Sequence, residues 1–460
     1  MNVIMKFGGT SVADAEAMAR VIAIVRGQWE RYPASRPPVV VVSAMSKVTD
    51  TLVEIGRLAA AGDAAAVAVQ VETLRARHER VARELVQGDG VTPLVAALTA
   101  DFATLGAAVA ESASRREVTP QETDALLATG ELASSRIVAA AFAARGVPAV
   151  WVDARRVLVT DADHTAAVPD LPATAERAAS LVAPRSAAGE VPVLGGFIGA
   201  TADGSTTTLG RGGSDYSAAV FGAALDVDEI QIWTDVDGML TADPRVVDQP
   251  VLVPQLSFDE ASELAYFGAK VLHPSTILPA VAKNIPVRIL NSRRPDVAGT
   301  MITADGSPEA RSVTALACKR AVTVVDITST RMLMAHGFLR RLFEVFERFK
   351  TPVDVVTTSE VSVSVTVDNV RRIDDILSNL RNFADVRTEP DMAIVCIVGE
   401  HLRTDPALFG RAVLALGGIP LRLVSQAGSR RNITFVIRDA DVPAAMNQLH
   451  REFFGAVASA

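Results

Sequence analysis

The chain has 460 residues, which corresponds to about two to four domains and excludes a single small module. Hydrophobic residues make up 49% of the sequence and charged residues 21%, as in a folded globular protein without disordered segments. The 45 basic and 53 acidic side chains give a formal net charge of −8, so the basic excess typical of nucleic-acid-binding proteins is absent. A local basic pocket for a small phosphate ligand remains compatible with this charge.

The cysteine content and the N-terminus predict a cytoplasmic protein. Only Cys318 and Cys396 are present, too few for a disulfide framework, which indicates a reducing compartment. Few apolar residues precede the first glycines, so no signal peptide is predicted, and no run approaches the roughly 18 uncharged apolar residues of a membrane span. We therefore expect no membrane association.

The first part of the chain alternates apolar strands with helical patterns, which predicts an α/β domain with a largely parallel sheet. Strands are predicted at residues 3–7, 39–42, 147–152, 191–194 and 229–233. A helix is predicted at 14–28, and residues 50–147 are predicted to be mostly helical. This stretch is a helical excursion from the sheet.

Two prolines and two glycines between Arg293 and Pro308 mark a domain boundary. We predict a first domain over 1–295, a linker over 296–310 and a second region over 311–460. That region contains an apparent duplication, with one copy at about 320–390 and the other at about 391–460 plus a strand near 312–319. Each copy has the order helix, strand, strand, helix, and the predicted elements are 338–350, 353–356, 361–367 and 370–382, then 407–416, 420–424, 433–437 and 442–453. Two βαββαβ units are the natural interpretation; two unrelated α+β halves are the alternative.

The sequence Lys6-Phe7-Gly8-Gly9 lies where a strand ends and a helix approaches. Paired glycines let a backbone approach a phosphate, and a lysine at the strand end supplies positive charge. The spacing is that of neither a Walker A loop nor a dinucleotide-binding loop. Taken alone, the segment is also compatible with a tight connection.

A second anion cradle is predicted at residues 206–215, where three glycines surround Arg211 and open a helix. A guanidinium holds a carboxylate or phosphate through two parallel hydrogen bonds. A glycine-rich surface loop is the alternative interpretation.

Two further segments carry polar residues at the ends of predicted elements. Residues 233–238, with Asp243 and Arg245 beyond them, place acidic groups at the carboxyl end of a strand, where open α/β sheets bind ligands; a turn rich in Asp and Gly is the alternative. Residues 267–274 place Lys270 behind a glycine, and His273 there is interpreted as a capping or packing residue. Several anion sites on one sheet indicate a ligand with several negative charges, such as MgATP with an acidic acceptor. No Ser-His-Asp order, zinc-ligand spacing or Cys-His pair competes with this interpretation.

In combination, these motifs resemble the aspartokinases of the amino-acid kinase family. The matching segments are KFGGTSV at the N-terminus, TTTLGRGGSDYSAA at 206–219, WTDVDG and ADPR within 233–245, FGAKVLHP at 267–274, and HGFL and VDVVTTSEVSVSV at 336–339 and 353–365. The resemblance implies a three-layer α/β sandwich with a mainly parallel central sheet, followed by two ferredoxin-like ACT units. It covers nearly the whole chain and implies the single-function form, without a homoserine dehydrogenase.

The resemblance implies transfer of the γ-phosphoryl group of ATP to the β-carboxylate of L-aspartate, at the entry to lysine, threonine and methionine synthesis. An aspartate side chain has a pKa near 3.9, so it is already ionised at pH 7 and needs no general base. Catalysis then consists of positioning and charge neutralisation. Magnesium is expected to be held mainly by the phosphates and water, with no protein ligand assigned.

Site residues are carried over from the family motifs. Lys6 and Asp215 are implied to be catalytic. The implied substrate-binding residues are Ser43, Thr49, Glu131, Arg211, Gly212, Gly213 and Ser214, with Arg211 on the α-carboxylate and Glu131 on the ammonium group. The implied nucleotide-binding residues are Lys6, Gly8, Gly9, Thr234, Asp235, Leu240, Arg245, Lys270 and Val271. Without the resemblance, Thr49 and Glu131 look like ordinary loop and helix residues; Leu240 replaces an aromatic residue of some relatives, which implies weaker adenine stacking.

The resemblance also implies an allosteric amino acid, lysine or alternatively threonine, in the first ACT unit. The implied effector-binding residues are Met332, Ala335, Phe338, Leu339, Val353, Asp354, Ser359 and Glu360. Asp354 and Glu360 suit a cationic effector, whereas Ala335 and Pro352 replace small polar residues of the family pattern. A homodimer or tetramer formed through the ACT units is expected.

Two other functions stay open at this point. The acceptor is alternatively N-acetylglutamate, glutamate or UMP, although Glu131 favours a substrate with a free ammonium group. A catalytically silent amino-acid sensor is the other alternative, although such a protein has no physical need to keep Lys6, Arg211 and Asp215 together.

Overall fold

The computed structural model describes residues 2–31, 36–268, 274–306, 312–329, 332, 336–400, 402–426 and 430–455. The chain divides into two compact units. The first comprises Met1–Met239 and Val271–Gly306, and the second comprises Leu240–Lys270 and Ser307–Ala460. Segment 240–270 therefore clusters with the C-terminal region, while the predicted domain boundaries at 295 and 311 remain predictions.

The secondary-structure elements are numbered in chain order. The strands are β1 Val3–Phe7, β2 Val39–Val42, β3 Ala149–Trp151, β4 Val191–Gly195, β5 Ile198–Ala200, β6 Thr206–Thr208, β7 Glu229–Thr234, β8 Gln255–Ser257, β9 Val287–Asn291, β10 Thr300–Thr303, β11 Ala315–Thr328, β12 Val356–Thr358, β13 Ser362–Val367, β14 Asp385–Val398, β15 Leu423–Ser425 and β16 Asn432–Arg438. The helices are α1 Ala15–Arg31, α2 Val48–Ala61, α3 Ala64–Leu85, α4 Val91–Arg115, α5 Pro120–Ala144, α6 Leu171–Leu181, α7 Ala183–Ala187, α8 Gly213–Leu225, α9 Phe258–Tyr266, α10 Leu278–Lys283, α11 Phe338–Arg348, α12 Ile373–Arg381, α13 Pro406–Ala415 and α14 Val442–Phe454.

Strands of the first unit form the predicted parallel sheet, in the order β3-β4-β2-β1-β7-β9-β10. Pairing is parallel from β3 to β9, and only the β9–β10 pair is antiparallel. The central strands β1 and β2 are buried along their whole length, as expected of apolar runs covered on both faces. Parallel pairing places the carboxyl ends of β1, β2, β4 and β7 at one edge of the sheet.

Helices α2 to α5 form the predicted helical excursion and contribute to a large apolar core beside the sheet. Helix α5 begins with a capping box between Thr119 and Glu122. By length and composition, α4 and α5 are apolar enough to cross a membrane, although neither is an uncharged run. The apolar stretch of α5 is 83% buried inside the fold. The helix as a whole also carries the buried carboxyl groups of Asp124 and Glu131, as in a core helix.

The second unit contains one antiparallel sheet in the order β12-β13-β11-β14-β16-β15. Strands β11 and β14 are each 14 residues long and pair with one another along most of their length. The second half of β11 pairs with β13, and the second half of β14 pairs with β16. Each half of the sheet has its own apolar core. This arrangement confirms the predicted duplication, with the two halves sharing their long strands.

The strand predicted at 353–356 is displaced toward the C-terminus, to β12. The backbone N–H groups of Asp354 and Val355 donate to the carbonyl and hydroxyl oxygens of Thr366, respectively. Residues 354 and 355 therefore approach β13 irregularly, and regular pairing begins only at Val356.

Candidate active site

Lys6, near the end of β1, forms an ion pair with Asp215 in the first turn of α8. The Lys6 Nζ atom lies 2.6 Å from Asp215 Oδ1, and the two side chains are 9% and 18% exposed. A carboxylate in the first helical turn complements the positive end of the helix dipole. The pair places a nearly buried ammonium group at the carboxyl edge of the sheet.

The loop that follows β1 approaches the loop that follows β2 closely. The N–H of Gly8 donates to the Trp233 carbonyl over 3.1 Å, and a Cβ atom at Gly8 would lie 3.6 Å from Lys6 Nζ. A Cβ atom at Gly9 would lie only 3.0 Å from the Ala44 carbonyl oxygen. Ser43, directly after β2, donates its N–H to the Phe7 carbonyl over 3.1 Å. A side chain at position 9 would therefore crowd the backbone that follows β2.

Glu131, in the middle of α5, is a buried carboxyl group with an unused oxygen. Its side chain Oε1 accepts a hydrogen bond of 3.1 Å from the N–H of Ala44. Oε2 has no hydrogen-bond partner among the described residues, and the residue is 3% exposed. Burial raises the pKa of Glu131 to about 8, against the lowering effect of the Ala44 N–H. An ammonium group would satisfy both the free oxygen and the buried charge.

Small residues allow α5 to pack closely against the ends of β2 and β4. A Cβ atom at Gly130 would lie 2.9 Å from the Ala44 side chain, and one at Gly195 would lie 3.1 Å from the Glu131 backbone and side chain. A Cβ atom at Gly196 would lie 2.8 Å from the Ser214 side chain. Sequence reasoning missed Ala44, Gly195 and Gly196, although a glycine pair at the end of a buried strand was a usable signal.

The loop before α8 carries Arg211 into solvent. Gly210 and Gly212 have φ values of 73° and 72°, a left-handed conformation that favours glycine. The N–H of Gly213 donates to the Gly210 carbonyl over 3.1 Å. Arg211 is exposed, and none of the described residues holds its guanidinium group. Thr49 is half-buried in the first turn of α2, with no described contact to these groups.

The predicted nucleotide-binding residues are divided between the units. In the first, Thr234 ends β7 and its carbonyl accepts a 2.9 Å hydrogen bond from the N–H of Ser292, while Asp235 is exposed. In the second, Leu240 forms a β-bridge with Leu252. Arg245 pairs with Asp243 at 2.6 Å and is 73% exposed. Lys270 and Val271 lie outside the described residues.

In the second unit, the predicted effector-binding residue Asp354 is already paired. Its Oδ1 lies 2.6 Å from Lys319 Nζ, and the Asp354 side chain is only 2% exposed. Lys319 also lies 2.8 Å from Asp368, and the Tyr266 hydroxyl donates to Asp354 Oδ1 over 3.1 Å. Burial and the Asp354 charge raise the pKa of Tyr266 to about 12. No sequence motif pointed to Lys319, because it is one lysine on a long strand.

The other predicted effector residues differ in burial. Met332 and Val353 are partly buried against the core of this half of the sheet, and Phe338 is buried, with its ring edge-on to Phe383. Leu339, Ser359 and Glu360 are exposed, and Ala335 lies outside the described residues. No described contact joins Glu360 to Asp354.

The described residues contain no group of three or more His, Cys, Asp or Glu side chains arranged to hold a metal ion. A magnesium ion bound mainly through phosphate and water requires no such group.

Comparisons with known proteins identify the family of this chain. Residues 1–291 match the amino acid kinase family and residues 395–453 match an ACT domain. The chain is 37% identical over 471 residues to "Aspartokinase 3, chloroplastic" of Arabidopsis thaliana, a match that covers 99% of this chain and 82% of the relative.

Two solved structures of E. coli aspartokinase III are also similar. The complex with aspartate and ADP, in the R-state, has a TM-score of 0.82 and 33% identity, covering 99% of this chain and 100% of the other. The complex with lysine and aspartate, in the T-state, has a TM-score of 0.81 and 33% identity, covering 98% and 99%.

Proposed function

We propose that this chain, which belongs to the amino acid kinase family and is an aspartate kinase, transfers the γ-phosphoryl group of ATP to the β-carboxylate of L-aspartate. The products are 4-phospho-L-aspartate and ADP. The E. coli structure that contains aspartate and ADP supports this choice of ligands.

Glu131 carries the proposal for an amino-acid acceptor. A buried carboxyl group with an unused oxygen costs free energy in the ligand-free protein. A substrate ammonium group removes that cost by supplying both a positive charge and hydrogen-bond donors. An acylated amine or a nucleotide base supplies no such charge, which disfavours N-acetylglutamate and UMP as acceptors.

Arg211 is proposed to bind the α-carboxylate of the same substrate. Its guanidinium group is exposed and sits on a loop whose conformation is set by Gly210 and Gly212. With the ammonium group on Glu131 and the α-carboxylate on Arg211, the β-carboxylate is the remaining functional group. Ser43, Thr49, Gly213 and Ser214 complete the proposed aspartate pocket.

Lys6 is proposed to neutralise charge on the transferring phosphoryl group. Gly8 lies beside its ammonium group without a side chain that would block a phosphate, and the ion pair with Asp215 fixes the ammonium position. The acceptor carboxylate is ionised at neutral pH, so positioning and charge stabilisation suffice. The nucleotide is proposed to contact Thr234, Asp235, Leu240, Arg245, Lys270 and Val271. A magnesium ion would shield the phosphate charge when bound.

Steady-state kinetics with MgATP and L-aspartate tests the reaction. We expect ADP release that depends on aspartate and a hydroxamate-forming acyl phosphate as product. Turnover with N-acetylglutamate, glutamate or UMP but not with aspartate would show that the acceptor differs from the proposed one. No turnover with any of the four compounds would favour a catalytically silent sensor.

Lysine is the proposed feedback inhibitor, with threonine as the alternative. The E. coli complex with lysine supports an amino-acid effector in this family, and the buried carboxylate of Asp354 suits its ammonium group. Such inhibition is what an enzyme at the entry to lysine, threonine and methionine synthesis requires. A homodimer or tetramer formed through the ACT units and a cytoplasmic location remain predictions.

A further inference from the structure

Asp124 is a second buried carboxylate on α5, seven positions before Glu131 and fully shielded from solvent. Seven residues are about two helical turns, so the two carboxylates lie on one face of the same rigid helix. None of the roles assigned above uses Asp124.

Asp124 accepts several hydrogen bonds from two segments that flank the Arg211 loop. Its Oδ2 lies 2.7 Å from His164 Nδ1, and both carboxylate oxygens lie 3.1 Å from the N–H of Thr165. The Thr208 hydroxyl donates to Oδ1 over 2.5 Å. Every donor comes from outside α5, so the carboxylate ties these segments to the helix.

Both segments set the position of the Arg211 loop. Thr208 is the last residue of β6, three positions before Arg211. Thr165 also contacts the loop, since a Cβ atom at Gly210 would lie 3.3 Å from the Thr165 carbonyl oxygen. The N–H of Leu209 donates to the Phe197 carbonyl over 3.0 Å, which fixes the loop against the end of β4.

We propose that Asp124 is a positioning residue for aspartate binding, which sets the distance between Arg211 and Glu131. Through its bonds to Thr208 and Thr165, α5 holds the loop that carries the α-carboxylate clamp. The same helix carries the ammonium acceptor. One helix therefore fixes the spacing of two groups that recognise neighbouring atoms of one small substrate. This inference rests on the proposed roles of Arg211 and Glu131.

Asp124→Asn weakens these bonds without changing side-chain volume. We expect the KM for aspartate to rise about tenfold, since charge-assisted hydrogen bonds are replaced by neutral ones. We expect kcat and the KM for ATP to change less than about threefold, because Lys6 and Asp215 are untouched. Asp170→Asn is the matched control, because Asp170 is an exposed carboxylate that only caps α6. A loss of thermal stability in Asp124→Asn with an unchanged KM for aspartate would overturn the proposal.

Thr208 supplies a second test if Asp124→Asn does not fold. Thr208→Val removes the hydroxyl at nearly constant volume and should raise the KM for aspartate. Thr208→Ser keeps the hydroxyl and should have a KM for aspartate near the wild-type value. Equal kinetics for the two variants would contradict the role of the Asp124–Thr208 bond.

Arg211 separates this inference from the proposed function. In an Arg211→Ala background, Asp124→Asn should raise the KM for aspartate no further, because the two residues act in series. Additive effects would show that Asp124 does not act through the Arg211 loop. An Arg211→Ala variant with normal aspartate kinetics would instead overturn the role of Arg211 in the proposed function.

Discussion

If Glu131 binds the substrate ammonium group as proposed, aspartate binding should depend on pH. The Glu131 pKa of about 8 means that the free protein holds this group mostly neutral at pH 7, whereas an ammonium ligand requires the ionised form. Binding should therefore release a proton, and affinity should increase by up to about tenfold per pH unit from 6 towards 8 and then level off. Calorimetry in buffers of different ionisation enthalpy measures this release. Glu131→Gln should bind weakly with no proton release; release that persists in this variant would assign the proton to another group.

The same pKa shift has the opposite consequence for the ligand-free fold. Because the folded-state pKa of Glu131 is raised, its contribution to the free energy of unfolding is fully present below about pH 4.5 and is lost as the pH rises through about 8. Aspartate binding at Glu131, as proposed, should compensate for this loss. The proposed role thus links ligand recognition to a lower stability of the free protein.

The Lys6 ammonium group is expected to act in the transition state rather than in folding. Lys6→Ala should lower kcat by about 10² to 10³, the usual cost of removing one charge-stabilising group from a phosphoryl or acyl transfer site. Asp215 keeps some solvent contact, with 18% of its side chain exposed, so its loss of a partner should be tolerated in folding. The measurement is kcat beside a denaturation midpoint, with exposed Lys283→Ala as the control. Wild-type turnover in Lys6→Ala would remove Lys6 from the mechanism.

At the scale of elements, helices α3 and α4 are in contact through His78, a buried histidine with a lowered pKa. His78 is fully buried, its Nδ1 lies 2.7 Å from the Leu74 carbonyl, and its ring packs 5.0 Å from that of Phe102. Burial lowers the pKa of His78 to about 4. Because the folded-state pKa is depressed, stability present above about pH 6.5 is lost as the pH falls, by roughly 2 kcal/mol at pH 5.

Melting temperatures at pH 7 and pH 5 test this expectation. His78→Gln should be less stable than the wild type at pH 7 but should lose less stability on acidification. The exposed His336→Gln is the matched control and should follow the wild type. An identical acid-induced loss in the wild type and His78→Gln would show that other groups cause it.

Elements with strong local patterns could be predicted from the sequence, whereas contacts between distant segments could not. Apolar runs located β1 and β2 because their ends coincide with glycine, proline and polar residues. The strand predicted at 353–356 was misplaced, since hydrogen bonds to Thr366 decide where regular pairing begins. Motifs located the Lys6 and Arg211 loops, but the bonds of Asp124 to Thr208 and of Asp354 to Lys319 span 84 and 35 positions, respectively. No local pattern encodes such pairs.

At the scale of the whole molecule, one compact unit contains both the proposed effector residues and part of the proposed nucleotide site. Leu240 and Arg245 belong to the second unit together with Asp354. Within that unit, Tyr266 at the end of α9 donates to Asp354, four positions before Lys270 in the chain. If an effector binds Asp354 as proposed, it should act on the C-terminal end of α9 through Tyr266, within the same unit.

Substitutions of Lys319 and Asp354 should shift inhibition by lysine in opposite directions, which tests the regulatory proposal. Asp354→Ala removes the proposed partner of the effector ammonium group, so inhibition by lysine should be relieved while uninhibited turnover stays near normal. Lys319→Met removes the cation that pairs with Asp354 in the free protein. This leaves a buried carboxylate that an effector ammonium group can neutralise.

The lysine concentration for half-inhibition should therefore fall about tenfold in Lys319→Met and rise in Asp354→Ala. Exposed Asp374→Ala is the control for the loss of one carboxylate. If both variants shift inhibition in the same direction, Asp354 contributes to the stability of the unit rather than to effector binding. If inhibition by threonine rather than by lysine shows these opposite shifts, Asp354 belongs to the effector site and threonine is the effector. General destabilisation would shift the lysine concentration for half-inhibition in the same direction in both variants. Competition between the ammonium groups of Lys319 and the effector for the Asp354 carboxylate would shift it in opposite directions.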